Sequence, residues 1–254
     1  MIFGWFKRRR RRKLLAQRLS PQWVQLVEGI EMVGRLDRDE RSKLIDLARV
    51  IVTEKLWTGC GELEVTDEMK WTIAAQAAML ILHIEHDYFA TVHEVLVYPS
   101  TMRVPQPVRE GVIVSQSDAA VLGLASHRGP IVLAWDAVQR GAANADDGHN
   151  VVLHEFAHNL DYMDHAADGT PPLSSRQMYR DWYRIMTREY EALVEDAERG
   201  RAKVLDTYGA TNAAEFFAVS TEAFFEKPRQ LKQHHAALYG LLSDYYQQDP
   251  ARRS

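Results

Sequence analysis

Cysteine is all but absent from this chain: Cys60 is the single one in 254 residues. One thiol cannot form an internal disulfide, so a packed core must hold the fold, and a reducing compartment suits it. Long apolar runs are missing as well. The longest, Trp71 to Ile84, contains Thr72 and Gln76 and falls short of the roughly 20 residues a membrane span needs; it reads as a buried helix. No secretory signal is legible, because MIFGWFKRRRRRKLL puts its charges after a very short apolar segment, the reverse of the signal-peptide order. An excess of one charge is lacking too: 31 basic and 35 acidic residues leave a net charge of -4, which gives no global pull toward nucleic acid. There is no internal repeat, no low-complexity stretch beyond one arginine run, and no linker that divides the chain. With 46% hydrophobic and 26% charged residues, the composition is that of an ordinary globular protein large enough to bury a core. These absences together predict a cytoplasmic protein.

What is present begins with the arginine run. Arg8 to Arg12 are unbroken and flanked by Lys7 and Lys13. Blocks of like charge are usually solvated and disordered, so residues 1–13 read as a basic tail ahead of one domain over 14–250. Trp5 and Phe6 beside the run add a functional alternative, contact with an anionic membrane or nucleic acid; lipid is favoured, because aromatics anchor at headgroups.

Along the rest of the chain, Ser20-Pro21 opens a helix that should run to about Gly34. Asp37 with Glu40 has capping-box spacing, and the helix that follows should bury Leu44, Leu47, Ala48 and Ile51 until Gly59-Cys60-Gly61 breaks it. Thr66 caps a third helix through Ile84. Residues 14–90 are therefore the helical part. From residue 91 the pattern changes: His93–Tyr98, Val112–Val114 and Ile131–Trp135 are strand candidates, the last introduced by Gly129-Pro130. Helices return from Arg176 to about Arg199, Asn212 to Phe225, and Lys232 to Tyr246. The fold class is α+β, mainly helical with a small mixed β-sheet.

Between the sheet and these last helices lies Val151-Val152-Leu153-His154-Glu155-Phe156-Ala157-His158, an H-E-x-x-H motif in an uncharged setting. On a helix, residues four apart share a face, so His154 and His158 can point two imidazoles at one ion, and zinc accepts imidazole nitrogen. Glu155 sits beside the metal without ligating it, where it can take a proton from a bound water. A catalytic zinc usually has three protein ligands. Asp164, with His165 one step off, has a known spacing, but Asp161 stands where that arrangement needs a glycine turn. Glu215 and Glu222, seven apart in the apolar segment Ala214–Phe225, are the other candidates, since a buried carboxylate wants a partner. The residues alone leave the choice open. Asp161 could orient a ligand or cap the helix end; His149 is turned off the ligand face, and His83, His86, His93, His127, His234 and His235 read as structural.

His154–His158, then Tyr208, then Ala214-Glu215-Phe216-Phe217-Ala218-Val219 resemble the Mlc titration factor A (MtfA) family of bacterial zinc peptidases. Phe89 with His93–Pro99, Gly129–Leu133 with Trp135, and Tyr245–Pro250 match it too, so the likeness runs from about residue 20 to 250. The resemblance implies a zincin-like, gluzincin-type fold distantly similar to the anthrax lethal factor catalytic domain, with one Zn2+ per chain. It implies Glu215 as third ligand, Glu222 as a supporting carboxylate, and Tyr208 as donor to the reaction's oxyanion. It further implies aminopeptidase-like activity and binding of an Mlc-type repressor that links the family to sugar phosphotransferase regulation. The arginine run lies outside the family pattern. Ile131–Trp135 is expected at the cleft edge, where an extended peptide could add to the sheet.

Overall fold

The computed structural model of the protein describes residues 2–101 and 129–253. Helices α1 (Ile2–Leu15), α2 (Pro21–Glu28), α3 (Glu31–Gly34) and α4 (Arg38–Glu54) lead to strand β1 (Leu56–Gly59) and helix α5 (Asp67–Leu80). Strands β2 (Glu94–Tyr98) and β3 (Ile131–Ala134) follow, then α6 (Trp135–Ala143), α7 (Val151–Asp161), α8 (Arg176–Glu198), α9 (Ala213–Glu226), α10 (Pro228–His234) and α11 (Ala236–Tyr246). The mainly helical α+β class is as expected. Among the described residues no helix is long and apolar enough to cross a membrane.

Local signals explain most boundaries. Pro21 opens α2, and Asp37 with Glu40 forms the full capping box of α4. Thr66 Oγ1 accepts the Met69 N–H at the start of α5, and Ser175 does the same for Met178 ahead of α8. Several expected elements differ: the helix expected over Lys232–Tyr246 is split at His235 between α10 and α11, and the one expected to run through Ile84 ends at Leu80. The helix foreseen from residue 20 to 34 is two helices, because Ile30 takes an extended conformation as the N-cap of α3. The segment ending at Gly59 closes with a strand, which the helical pattern concealed. At Gly59 a Cβ would lie 1.8 Å from the Leu63 carbonyl oxygen, so only glycine permits this turn. The expected mixed sheet is parallel in its described strands, ordered β1-β2-β3 with Val95 opposite Ile131 and Val97 opposite Leu133. The candidate strand at 112–114 lies outside the described residues.

The arginine run is a helix rather than a loose tail. Arginine, lysine and leucine are good helix formers, and the repulsion of the run is relieved by Glu54 and Asp87. Arg11 bonds Glu54 through Nε and Nη2 at 2.9 and 2.7 Å, and Asp87 through Nη1 at 2.5 Å. Its guanidinium also lies 4.1 Å from the ring centroid of Tyr88.

The core runs from α4 and α5 through α7 to the C-terminal helices. Residues Trp71–Leu80 of α5 are buried all round, as expected for so apolar a run. Phe216, Phe217 and Phe224 of α9, with Trp182 of α8 and Tyr246 of α11, are almost wholly buried. Edge-to-face ring pairs such as Trp182–Phe217 at 5.6 Å pack α9 against α8.

Candidate metal centre

Asn150 caps α7. Its Oδ1 accepts the N–H groups of Val152 and Leu153 at 3.1 Å each, and its Nδ2 donates to Gln76 Oε1 at 2.9 Å and Glu226 Oε1 at 3.0 Å. The Asn150 backbone N–H donates to Glu222 Oε2 at 2.5 Å. With the helix start fixed, His154 and His158 stand one turn apart toward α9. Helix α9 is capped by Asn212, whose Oδ1 accepts the Glu215 N–H at 3.0 Å, and it presents Glu215 and Glu222 toward α7.

Three ligand-type atoms converge there. Glu215 Oε2 lies 3.0 Å from His154 Nε2 and 3.2 Å from His158 Nε2, and the two nitrogens are 3.2 Å apart. An ion bound tetrahedrally at ~2.0–2.1 Å keeps its ligand atoms about 3.3 Å apart. The triangle is therefore a coordination face drawn in slightly. His154, His158 and Glu215 form a group that could hold a metal ion.

Proton counting supports this fit. Glu222 Oε1 is 2.7 Å from His154 Nδ1. In neutral His154 a carboxylate there accepts the Nδ1–H and leaves Nε2 as a bare lone pair, open to an ion or, without one, to a proton. His154 Nε2 and Glu215 Oε2 are then both acceptors, and one proton on His158 cannot serve both. A cation at the centre satisfies all three. Burial opposes positive charge on His154, yet Glu222 and Glu215 outweigh it and hold its pKa well above the usual value. Burial likewise opposes charge on Glu215, and the two histidines hold its carboxyl far below the usual range. The pocket is built to keep positive charge between these side chains.

Glu155 is buried next to this triangle. Burial raises its pKa above the ordinary carboxylate value against the pull of His154 and His158, and its Oε1 is buried without a hydrogen-bond partner among the described residues. Such an atom wants a donor inside the site. Tyr208 stands on a 3-10 turn, Thr207–Ala210, started by Asp206, whose Oδ1 accepts the Tyr208 N–H at 2.7 Å. Its ring centroid is 6.1 Å from that of His154. Burial and the neighbouring Glu215 raise the phenol's pKa, so the hydroxyl stays protonated and available to donate.

Other candidates fall away from the centre. Asp164 and His165 are exposed, and His165 has φ +73°, so the chain turns off there. Asp161 hydrogen-bonds neither candidate ligand histidine among the described residues, and its Oδ1 is buried without a partner there. Its Oδ2 accepts the Gly169 N–H at 2.9 Å, pinning the segment after α7, and burial raises its pKa to about 6. His149 is exposed beside Asp206, 3.4 Å away. His83 pairs with Glu40 and His235 with Glu189. His86 accepts the Tyr88 N–H, and burial lowers its pKa to about 4. His127 lies outside the described residues.

Sequence reasoning missed Asn150, Gln76 and Glu226, which tie α5, α7 and α9 together behind His154. The signal was present in part: Gln76 interrupts an apolar run, and Glu226 follows Glu222 by one helical turn.

Residues 5–247 match the family described as glucose-regulated metallo-peptidase M90. A Synechocystis protein designated slr2042 is 36% identical over 244 residues, 95% of this chain and 89% of its own length. Proteins named Mlc titration factor A are similar as well. That of Edwardsiella ictaluri is 31% identical over 94% of this chain and 91% of its own length, and that of Yersinia pestis 28% over 91% and 86%.

Proposed function

This chain belongs to the M90 family of glucose-regulated metallo-peptidases, and on that premise we propose that it hydrolyses peptide bonds at a zinc ion held by His154, His158 and Glu215, with Glu155 as general base. One observation carries the reading: the two imidazole nitrogens and the Glu215 oxygen meet within 3.0–3.2 Å of one another, beside a buried carboxylate with an oxygen unpartnered among the described residues. When bound, zinc supplies a Lewis acid that polarises the scissile carbonyl and lowers the pKa of water toward about 7.

The chain's own residues do the rest. Glu155, raised in pKa, takes the proton from the attacking water and returns it to the departing amine. The Tyr208 hydroxyl donates to the oxygen of the tetrahedral intermediate. Glu222 holds His154 in the tautomer that leaves Nε2 free. Strand β3 is an edge among the described residues and packs against α7. Its backbone suits an extended peptide added to the sheet.

Family likeness supports an aminopeptidase-like preference. The relatives' name, Mlc titration factor A, supports a second activity: binding an Mlc-type repressor and so influencing sugar phosphotransferase expression. A chain that only sequestered such a repressor would use zinc as a structural ion and have no need of Glu155 beside it.

The test is hydrolysis of aminoacyl chromogenic substrates and internally quenched peptides by zinc-loaded wild type and Glu155→Gln, with zinc content measured in both. Glu155→Gln should keep its zinc and lose about 10²–10⁴-fold in kcat/KM. Glu215→Ala should lose zinc, and Glu222→Ala should bind it about 10–100-fold more weakly. Undiminished turnover in Glu155→Gln would remove it as the base, and wild-type zinc affinity in Glu215→Ala would remove that ligand. Inactivity of both wild type and Glu155→Gln, with a purified Mlc-type repressor retained on the protein, would favour the sequestering reading.

A further inference from the structure

Helix α1 has two unlike sides. One is clamped to the body: Arg11 and Lys7 reach Asp87, Arg11 and Arg10 reach Glu54, and Leu14 and Leu15 are half-buried. Helical spacing of 3.6 residues per turn puts Trp5, Phe6, Arg9, Arg12 and Lys13 on the opposite side, and all five are exposed. Trp5 and Phe6 are each 55% exposed and pack edge to face with centroids 5.0 Å apart. The Arg9 guanidinium lies 5.4 Å from the Trp5 ring centroid.

These outward cations differ from the inner ones. In the crevice between α1 and α4, lined by Arg10, Arg11, Lys13 and Glu54 among others, Glu54 takes both guanidiniums, whereas Lys13, which borders the crevice and the outer side, is left unpaired among the described residues. No side-chain ion pair engages Arg9, Arg12 or Lys13 among the described residues. In a chain of net charge -4, this leaves one small basic face with an aromatic pair at its end.

We propose that the outer face of α1 docks the protein on an anionic bilayer surface, with the helix parallel to the membrane, Trp5 and Phe6 among the headgroups, and Arg9, Arg12 and Lys13 against lipid phosphates. Charge complementarity selects an anionic partner. The exposed aromatic pair selects lipid over nucleic acid, since indole and phenyl rings gain from the headgroup–acyl boundary. The clamp through Arg11 holds the face outward, so docking does not require α1 to leave the body. Such binding is of the modest, salt-sensitive kind, each outward cation contributing about fivefold.

The experiment is co-sedimentation of the full, zinc-loaded chain with phosphatidylcholine vesicles, with and without a third of phosphatidylglycerol. Wild type is compared with Trp5→Ser/Phe6→Ser and with Arg9→Glu/Arg12→Glu/Lys13→Glu. All five side chains are exposed, so the melting temperatures should match wild type and folding does not confuse the result. Wild type should bind only the anionic vesicles, each variant about tenfold or more weakly, and added salt should release the protein. Failure of wild type to bind anionic vesicles would overturn the proposal. So would vesicle binding that survives loss of the aromatic pair while a duplex oligonucleotide is bound as strongly, because α1 would then be a polyanion site.

Discussion

At the scale of single residues, Glu226 shows how far burial changes a side chain. It is 1% exposed, accepts a hydrogen bond from Asn150 Nδ2, and has its second oxygen buried without a partner among the described residues. Burial, helped by the negative charge of Glu222, pushes its pKa from 4.5 to about 9. Unfolded, the same carboxyl loses its proton near its ordinary value, so between these two pKa values the folded chain binds more protons than the unfolded one. Stability from this group is therefore fully present below about pH 4.5 and is lost as pH rises toward about 9. Glu226→Gln keeps the acceptor for Asn150 and cannot ionise. Its melting temperature should fall less between neutral and alkaline pH than that of wild type; parallel curves would show that Glu226 carries no such penalty. That His154 and His158 share one helix face was legible from their spacing. The neutrality of Glu226 was not, because nothing in the segment tells which of its carboxylates meets a histidine and which meets only an amide.

At the scale of elements, the metal centre depends on how closely α6 approaches the start of α7. A Cβ at Gly141 would lie 2.7 Å from Asn150 Nδ2 and 3.2 Å from Gln76 Oε1. Glycine to alanine inside a helix ordinarily stabilises by about 1 kcal/mol. Here Asn150 is held by Val152, Leu153, Gln76, Glu226 and Glu222 at once and cannot step aside. Gly141→Ala should instead destabilise by about 1–3 kcal/mol in denaturant unfolding, and it should weaken metal binding because Glu222 reaches both Asn150 and His154. A stabilised variant with unchanged metal affinity would mean that the cap is free to shift. Some helix starts were readable: Asp37 with Glu40, Thr66, and Pro21 act as their residue types suggest, although Ser20 before Pro21 makes no side-chain cap bond and the Asn150 cap of α7 was not foreseen. The break at Ile30 and the strand at Leu56–Gly59 were not, since both follow helix-compatible sequence and are set by neighbours packed against them.

At the scale of the whole molecule, a metal held as proposed would join two helices separated by about fifty residues of chain, α7 and α9. Ion binding should therefore stabilise the folded state by mass action. Free zinc at a hundred times its dissociation constant adds about 2.7 kcal/mol. In a chain of this size that raises the melting temperature by roughly 5–10 °C. Scanning with zinc and with a chelator should show this shift in wild type and in Glu155→Gln, and not in His154→Ala. An equal shift in His154→Ala would place the ion elsewhere.

What the sequence determined by itself was local and periodic. The pair of histidines one turn apart, the carboxylate between them, the long buried helix of Trp71–Leu80 and the predominance of helix all follow from spacings within one element, where backbone geometry dictates which side chains share a face. What the tertiary structure decided was everything that spans elements. It chose Glu215 over Asp164 to approach the histidines, turned Glu222 onto His154 Nδ1, sent Asp161 to Gly169, ran the described strands parallel, and laid the arginine run along the body. The physical reason is the same in each case. A buried charge is stable only beside a partner, and which partner it meets is set by helix packing rather than by distance along the chain.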